Sequence, residues 1–383
     1  MNSIHLVLIS AQAVPNITPI LDERFRPDRV IMLVSRDMEA RAASLEQIYR
    51  PRGVKVGRWP IDDAWDVEHI RNRVVELLSE FEQEDITLNA TGGTKPMSIA
   101  AYEVFRAFDK PIFYVHPERD RLIWMHPGDR DSVDLADRIK LKEYLQAYGA
   151  DEVNETYKFG VPPSLRDLTS ELIEHIGAYA PALGSLNYFA AFARNAQLRS
   201  PEVDADFNGN HAFWELLDLF QQAGLLRRDG KCLVFADDNA RFIANGGWLE
   251  LYAYACCLNV KKSLALQDVG HSIEVSRRHG KNSVLNEMDV AFLKDNRLYL
   301  LECKTKRLKG GDRRHDEGAE VLYKLDSLRD LLGGLQAKAM LVSFNPLKPH
   351  NRNRARELNI EYCCHQDLKF LEQKIAQWLE NGR

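Results

Sequence analysis

The strongest constraint on the fold is a regular alternation of short β-branched runs and helical segments over residues 1–150. Parallel strands need a crossover connection of about a dozen residues or more, and a helical segment between two strands can supply one. The alternation therefore predicts an α/β domain with a Rossmann-like, doubly wound parallel sheet covered on both faces. We expect strands at 4–9, 30–34, 86–88 and 112–115, one that begins at 54, and an added hairpin strand at 122–125; the expected helices are 38–49, 67–81, 97–108 and 137–148.

A glycine-rich turn, Thr91-Gly92-Gly93-Thr94-Lys95, lies between a predicted strand and the helix from Met97. Glycine permits positive φ and close backbone approach, and Thr94 can cap the helix. Free amides at the helix start, together with Lys95, favour an anion site over a merely tight turn. The turn is not a Walker A motif, because Thr94 rather than glycine precedes Lys95.

The segment Ser10-Ala11-Gln12 follows the first predicted strand and opens onto the same edge of the sheet. Neither this segment nor the glycine-rich turn brings an evident general acid, base or nucleophile. The pair of loops therefore predicts a binding site rather than a catalytic one.

Residues 162–236 form a second segment of different character, with helices expected at 165–176, 186–192 and 211–222. A hairpin over 225–235, turning at Asp229-Gly230, follows them. Helices followed by a hairpin suggest a winged-helix-like module. The alternative is a spacer or dimerisation module, which we favour because no helix here is dense in Arg and Lys.

The third segment, residues 241–383, contains the strongest chemical signal. Two apolar strands, 288–293 and 298–303, flank a polar turn at Asp295-Asn296. Counted symmetrically from that turn, Asp289 lies opposite Glu302, and Lys304 projects from the same face. A loop of odd length would destroy this register. Around the hairpin we expect a helix carrying Glu250, a strand at 273–275, a helix at 318–332, a strand at 339–344 and a terminal helix at 367–379.

Opposed carboxylates repel each other and require a cation, for which Mg²⁺ or Mn²⁺ is suited by its preference for oxygen ligands. Lys304 can orient or deprotonate an attacking water and stabilise phosphate charge. The alternative is a surface Glu–Lys pair on an edge strand, but the apolar neighbours favour a central position. Glu250 is a candidate third carboxylate for the metal.

A basic run follows the hairpin and is either a solvated loop or a patch that binds a phosphodiester backbone; it contains Lys306, Arg307, Lys309, Arg313, Arg314 and His315. The chain as a whole is not basic: 51 Lys and Arg against 56 Asp and Glu give a net charge of −5. Binding to nucleic acid therefore needs such a local patch.

Six cysteines without a C-x-x-C motif predict reduced, mostly buried thiols, and Cys363-Cys364-His365 lacks a second ligand pair for zinc. The N-terminus has no basic region before its short apolar run, and no stretch is long enough to span a membrane. We expect a cytoplasmic protein with no membrane partner.

Asp289 with Glu302-Cys303-Lys304 resembles the PD-(D/E)xK motif of restriction-endonuclease-like domains. The turn Asn89–Lys95 resembles the signature loop of CRISPR-associated Rossmann-fold (CARF) sensor domains. The order of sensor, winged helix and nuclease is similar to that of ancillary nucleases in type III CRISPR systems.

This resemblance implies a homodimer that binds a cyclic oligoadenylate, usually cyclic tetra-adenylate, and a nuclease that this ligand activates allosterically. The ligand contacts it implies are Ser10, Ala11, Gln12, Thr91, Gly92, Gly93, Thr94 and Lys95. The catalytic residues it implies are Glu250, Asp289, Glu302 and Lys304, with the three acids binding Mn²⁺ or Mg²⁺. The substrate expected is DNA, with single-stranded RNA as a second possibility, and the signal is expected to pass through residues 162–236.

Two alternatives remain open from the sequence. One is a ligand-responsive transcription regulator with a winged helix and a non-catalytic C-terminal domain, which has no need for opposed Asp289 and Glu302. The other is a ring nuclease that degrades its own cyclic ligand in the first domain. Metal-dependent cleavage of nucleic acid distinguishes the first alternative from the nuclease.

Overall fold

The computed structural model describes residues 3–153, 160–204, 207, 209–279, 282–306 and 316–381. In the first segment the strands are β1 (Ser3–Leu8), β2 (Arg29–Ser35), β3 (Lys55–Ile61), β4 (Asp85–Asn89), β5 (Ile112–His116), β6 (Arg121–His126) and β7 (Val133–Asp134). Its helices are α1 (Val14–Leu21), α2 (Glu39–Tyr49), α3 (Val67–Glu80), α4 (Lys95–Ala107) and α5 (Leu141–Ala147).

These strands form one sheet in the order β3-β2-β1-β4-β5-β6-β7, parallel from β3 to β5 and antiparallel at β6 and β7. Helices α3 and α4 cover one face, while α1, α2 and α5 cover the other. The predicted doubly wound sheet is confirmed. Strands β1 and β4 are parallel neighbours, and the direction in which successive strands are added to the sheet reverses between them. The loops after these two strands therefore meet at the switch point where such sheets bind ligands. The closing helix begins at Leu141, four residues later than predicted.

The second segment contains helices α6 (Pro163–Glu174), α7 (Ile176–Phe192) and α8 (His211–Gln222) and a sheet ordered β10-β11-β9, from β9 (Arg199–Glu202), β10 (Leu226–Asp229) and β11 (Cys232–Phe235). Helix α7 begins ten residues before the predicted 186–192 helix. It continues through Gly177, Pro181 and Gly184 because one of its faces is buried in the core. The hairpin connection is Gly230-Lys231, one residue later than predicted, and Gly230 has a φ of 63°.

The third segment contains α9 (Asp238–Phe242), a π-helical turn at Ile243–Gly247, α10 (Trp248–Val260), β12 (Asp268–His279), β13 (Asn282–Lys294), β14 (Arg297–Lys304), α11 (Glu317–Gly333), β15 (Lys338–Ser343), α12 (Pro349–Glu357), β16 (Ile360–Cys364) and α13 (Leu371–Asn381). Strand β8 (Ala150–Glu152), directly after the first segment, pairs with β12 and completes the sheet β16-β15-β14-β13-β12-β8. Sequence analysis predicted neither β8 nor β16, because three to five residues carry little periodicity.

The third-segment sheet is covered on both faces. One face packs on α10 and on the second segment. The core formed there includes Leu172 and Leu186 of the second segment and Trp248 of α10. The other face shares a core with the first segment, which includes Tyr144 and Leu145, and with Leu322 of α11. The first segment therefore packs directly on the third-segment sheet.

All six cysteines are free and buried, as predicted. Among the described residues, no helix combines the length and apolarity that crossing a membrane requires.

Candidate active site and sensor cleft

The β13–β14 hairpin has the predicted register. Pairing runs from Lys294 with Arg297 to Val290 with Leu301, and Asp295 and Asn296 form the two-residue turn with φ of 48° and 52°. Extending this register by one residue sets Asp289 across from Glu302. Strand β14 also pairs with β15 from Tyr299 to Lys304, so it is a central strand rather than an edge strand.

The two carboxylates are buried and in contact with a lysine. Asp289 is 8% exposed and Glu302 4%. The Lys304 Nζ lies 2.6 Å from Glu302 Oε1 and 3.8 Å from Asp289 Oδ2, and the Cys303 backbone N–H donates to Asp289 Oδ2 at 2.6 Å. One cation therefore serves both acids.

Burial, with the charge of Glu302, raises the pKa of Asp289 to about 7, against the opposing effect of Lys304. Burial alone lowers the pKa of Lys304, but the charges of Asp289 and Glu302 outweigh it and raise this pKa above its usual value. The site therefore concentrates negative charge and holds its lysine as a cation.

Glu250 lies in the first turn of α10, and its Oε2 is buried without a hydrogen-bond partner among the described residues. Burial raises the pKa of Glu250 to about 9, with the charges of Asp289 and Glu287 adding to it. The start of α10 is set by Gly246, which has a φ of 115° and packs so closely that a Cβ there would meet Thr305 Oγ1 at 2.1 Å. Sequence reasoning missed this contact, which joins Gly246 to the residue after Lys304.

The carboxylates of Asp289 and Glu302 and the unpartnered, buried Oε2 of Glu250 are all oxygen ligands. Oxygen ligands are the type that hard divalent cations such as Mg²⁺ and Mn²⁺ prefer. Within the described ranges, however, no three His, Cys, Asp or Glu side chains converge as a metal-binding cluster. The residues that fit such an ion are thus the pair Asp289 and Glu302, with Glu250 as a neighbour.

Sequence analysis also missed Lys324 of α11, whose Nζ lies 4.0 Å from Glu302 Oε1 and whose side chain is 72% exposed. Of the basic run after the hairpin, only Lys306 lies within the described residues; 307–315 lie outside them.

The loops at the switch point form a cleft of about 500 Å³. Of the predicted ligand contacts, Ser10, Ala11, Gly93 and Thr94 line it. Thr94 caps α4 as predicted, because its Oγ1 accepts from the Met97 N–H at 3.2 Å, and it also donates to the Ala64 carbonyl at 2.6 Å. Lys95, in the first turn of α4, is exposed.

Gly92 and Gly93 are required by packing as well as by access. A Cβ at Gly92 would lie 1.9 Å from the Leu8 carbonyl oxygen, and Gly93 has a φ of 74°. The sequence analysis missed the far wall of the cleft, which includes Arg36, Asp37 and Trp65, the last 72% exposed. The signal in the sequence that could have predicted this wall was Trp65, in a loop rich in aspartate.

Gln12 and Thr91 line a different cavity, of about 210 Å³, together with Asp120 of the first segment and Asp295 and Asn296 of the hairpin turn. The Thr91 Oγ1 accepts from the Val115 N–H at 2.7 Å. The structure thus places six of the eight predicted ligand contacts in an open cleft or in a cavity beside the hairpin turn, while Gly92 and Lys95 line neither.

Comparison with known proteins agrees with this architecture. The family model for the CARF domain of Card1 matches residues 4–144, and the model for the Card1-like endonuclease domain matches residues 237–381. No curated protein matches the chain.

Among solved structures, protein VC1899 from Vibrio cholerae is 31% identical with a TM-score of 0.89, over 99% of this chain and 98% of that one. Can2 from Sulfobacillus thermosulfidooxidans, solved with cyclic tetra-adenylate, is 26% identical with a TM-score of 0.81, over 98% and 99% of the two chains. A type III CRISPR defence DNA nuclease activated by cyclic oligoadenylate shares the fold at 18% identity and a TM-score of 0.56, over 95% of this chain and 48% of that one.

An endonuclease domain is not what a transcription regulator with a non-catalytic C-terminal domain would carry, so that alternative is set aside. The chain belongs to the Card1 family of type III CRISPR nucleases, in which a CARF domain precedes an endonuclease domain.

Proposed function

We propose that this protein is a metal-dependent endonuclease that cyclic tetra-adenylate, bound at the CARF domain of a homodimer, switches on. The observation that carries the proposal is the buried pair Asp289 and Glu302 with the Lys304 Nζ 2.6 Å from Glu302. Isolated buried carboxylates are costly, so a core that retains two of them facing each other points to a function.

In this mechanism, Asp289 and Glu302 would hold Mn²⁺ or Mg²⁺, and Glu250 lies beside them as a third carboxylate. When bound, such an ion would supply Lewis-acid stabilisation of the phosphate and a more acidic water. Lys304 donates a hydrogen bond to a phosphate oxygen and offsets the charge that develops there. The Cys303 N–H keeps Asp289 aimed at the site by donating to its Oδ2 at 2.6 Å.

The ligand site is the cleft at the switch point. The amides at the start of α4 and the cation of Lys95 suit a phosphate, and the exposed Trp65 offers an indole face to an adenine base. A cyclic tetranucleotide has two-fold symmetry, so two copies of the cleft can grip it together, which is the reason for proposing a homodimer. Can2, similar over the full length, was solved with this ligand.

DNA is the proposed substrate and single-stranded RNA the second one tested, since hydrolysis at this site acts on a phosphodiester. Lys304 and Lys324 supply positive charge beside the acidic pair within the described chain. We also propose a cytoplasmic location, which the six free thiols support because they suit a reducing compartment.

The test incubates pure protein with supercoiled plasmid, labelled single-stranded DNA or labelled single-stranded RNA, with Mn²⁺, Mg²⁺ or chelator, and with or without cyclic tetra-adenylate. Cleavage should need both metal and ligand. Glu302→Ala should lower the rate by about a hundredfold or more, because it removes an oxygen ligand of the ion. The matched control is Glu361→Ala, on β16 of the same sheet but paired with Lys374.

The ligand arm uses calorimetry with Lys95→Ala and, as control, Lys142→Ala on the exposed side of α5. Lys95→Ala should bind cyclic tetra-adenylate about fivefold more weakly, as expected for one exposed phosphate contact. The expected stoichiometry is one ligand per two chains. Cleavage that survives chelator, or one ligand bound per chain, contradicts the corresponding part of the proposal.

A further inference from the structure

One residue in the turn of the active-site hairpin, Asn296, is buried against the CARF domain. Hairpin turns normally lie at the surface, where water satisfies their polar groups. Asn296, at the second turn position, is only 1% exposed, and its φ of 52° is in the left-handed region. The hairpin that carries Asp289 and Glu302 is therefore held at its tip as well as in its sheet.

The Asn296 amide uses all of its hydrogen-bonding capacity at this point. Its Nδ2 donates to Asp120 Oδ2 and to the Ala136 carbonyl, and its Oδ1 accepts from the Ile139 N–H at 3.4 Å and from Gln267 Nε2 at 2.7 Å. An amide offers two donors and a carbonyl oxygen that accepts two bonds. Three of these four contacts go to the CARF domain.

These contacts connect to the loop that follows β4. Asp120 lies in the turn between β5 and β6, with a φ of 46°. Val115, in strand β5 just before that turn, donates its backbone N–H to Thr91 Oγ1 at 2.7 Å. Thr91 is the first residue of the glycine-rich turn. A short chain of contacts therefore runs from the ligand loop through β5 to Asp120 and Asn296.

A second contact lies nearby, at the end of α11. The Tyr144 hydroxyl donates to the Gly333 carbonyl at 3.0 Å, and Gly334 lies so close to Gln12 that a Cβ there would meet its Oε1 at 2.7 Å. Gln12 follows β1, and α11 carries Lys324 toward Glu302. The CARF loop that follows β1 thus touches the end of the helix that borders the acidic pair.

The acids lie on the side of the sheet that faces the CARF domain. Glu302 lies on the same face of β14 as Leu298 and Leu300, because residues two apart in a strand point to the same side. These leucines share a core with Tyr144 and Leu145. Asp295 lies six residue steps along the chain from Asp289, which is a distance of about 20 Å at about 3.3 Å per residue. A paired ribbon of that length moves as a unit when its tip moves.

We propose that Asn296 is a positioning residue that couples the CARF domain to the active-site hairpin, so that ligand-driven movement at the Thr91 loop reaches Asp289 and Glu302 through the hairpin tip. This inference rests on the proposed function, because it requires activation by cyclic tetra-adenylate. It differs from a relay through residues 162–236, which pack on the opposite face of the third-segment sheet.

The test uses the full-length protein and Asn296→Gly. Glycine adopts the positive φ of the turn without strain, so the variant removes the amide contacts and keeps the backbone. The matched control is Asn359→Gly, which makes the same change at an exposed asparagine with a φ of 54°, remote from the CARF domain. Cleavage of single-stranded DNA with Mn²⁺ is measured with and without cyclic tetra-adenylate, together with ligand binding by calorimetry.

For Asn296→Gly, the ratio of activated to basal rate should fall at least about tenfold, with the loss in kcat, an unchanged KM for DNA and retained ligand binding. Asn359→Gly should keep the wild-type ratio. A wild-type ratio in Asn296→Gly that binds ligand overturns the inference and leaves the proposed function standing. No activation of the wild type overturns the proposed function itself.

Asp120 supplies a second pair of variants for the case in which Asn296→Gly does not fold. Asp120→Asn retains a carbonyl oxygen that accepts from Asn296, and Asp120→Ala does not. Asp120→Asn should keep at least about half of the wild-type activation ratio and Asp120→Ala should lose it. Equal activation in the two variants contradicts the inference.

Discussion

A buried aspartate lies at each end of the β13–β14 hairpin, and the groups in contact with it differ between the two ends. At the open end, Asp289 is 8% exposed and lies 3.8 Å from the Lys304 Nζ. At the tip, Asp120 is 6% exposed and accepts a hydrogen bond from the Asn296 amide. The other charges that act on Asp120 are those of three further acids, Asp134, Asp137 and Asp295.

The consequence is a difference in what each carboxyl group can do. Burial raises the pKa of both, to about 7 for Asp289 and about 8 for Asp120. Lys304 opposes this rise at Asp289 with a full charge, whereas only the Asn296 hydrogen bond opposes it at Asp120. A buried aspartate with a cation in reach is suited to charge-based chemistry, and one with an amide is suited to docking.

The largest expected effect comes from making the same near-isosteric change at both ends. Asp289→Asn should lower ligand-activated cleavage by about a hundredfold or more, because a neutral amide is a poor ligand for a divalent ion. Asp120→Asn should stay within about threefold of the wild-type rate, since it keeps the acceptor for Asn296. Both rates are measured on labelled single-stranded DNA with saturating Mn²⁺ and cyclic tetra-adenylate. Similar losses in the two variants would remove the distinction between the ends.

The next effect is on stability and its pH dependence. The folded pKa of Asp120, about 8, lies above the ordinary value of 3.8, so folding disfavours its ionised form. Its contribution to the unfolding free energy therefore falls as pH rises from about 4 to about 8. Asp120→Asn removes this loss, and the variant should be more stable than the wild type at pH 8 by on the order of a few kcal/mol, with little difference at pH 4.

Urea unfolding at pH 4, 6 and 8 checks this expectation, with Asp129→Asn as the control at an exposed aspartate of the same domain. The control should show the same small difference at every pH. A wild type that remains as stable as Asp120→Asn at pH 8 would show that the carboxyl group at the tip carries no cost of ionisation.

The hairpin also shows where sequence reasoning succeeds. The register of Asp289 and Glu302 follows from a two-residue turn and the period of two in a strand, both of which are local. The cap at Thr94 is predictable for the same reason, because neighbouring residues determine it. The doubly wound class of the first sheet is predictable from the alternation of strands and helices along the chain.

What the sequence could not predict depends on contacts between distant segments. The burial of Asn296 requires Asp120, Ala136 and Ile139, which are more than 150 residues away along the chain. Gln12 lines the cavity beside the hairpin turn, whereas Ser10 and Ala11 line the open cleft. This difference depends on where Gly334 packs against Gln12. Asn296, in a turn that the sequence shows only as polar, is buried because another domain supplies hydrogen bonds to its side chain.

The smallest expected effect separates the two lysines at the open end. Lys304 lies 2.6 Å from Glu302 Oε1 with its side chain 30% exposed, whereas Lys324 lies 4.0 Å from the same oxygen and is 72% exposed. An exposed charge at that distance interacts by roughly 0.2–1 kcal/mol, because water and salt screen it. Lys324→Ala should therefore slow activated cleavage by at most about fivefold, and the loss should shrink further as the salt concentration rises.

Lys304→Ala should slow activated cleavage by about a hundredfold or more at every salt concentration, since its partly buried charge is poorly screened. Rates for both variants at 50 mM and 300 mM salt, roughly below and above the point where the Debye length reaches 10 Å, provide the measurement. If Lys324→Ala were as damaging as Lys304→Ala, the helix α11 lysine would belong to the catalytic group, and the open end of the hairpin would hold two essential cations instead of one.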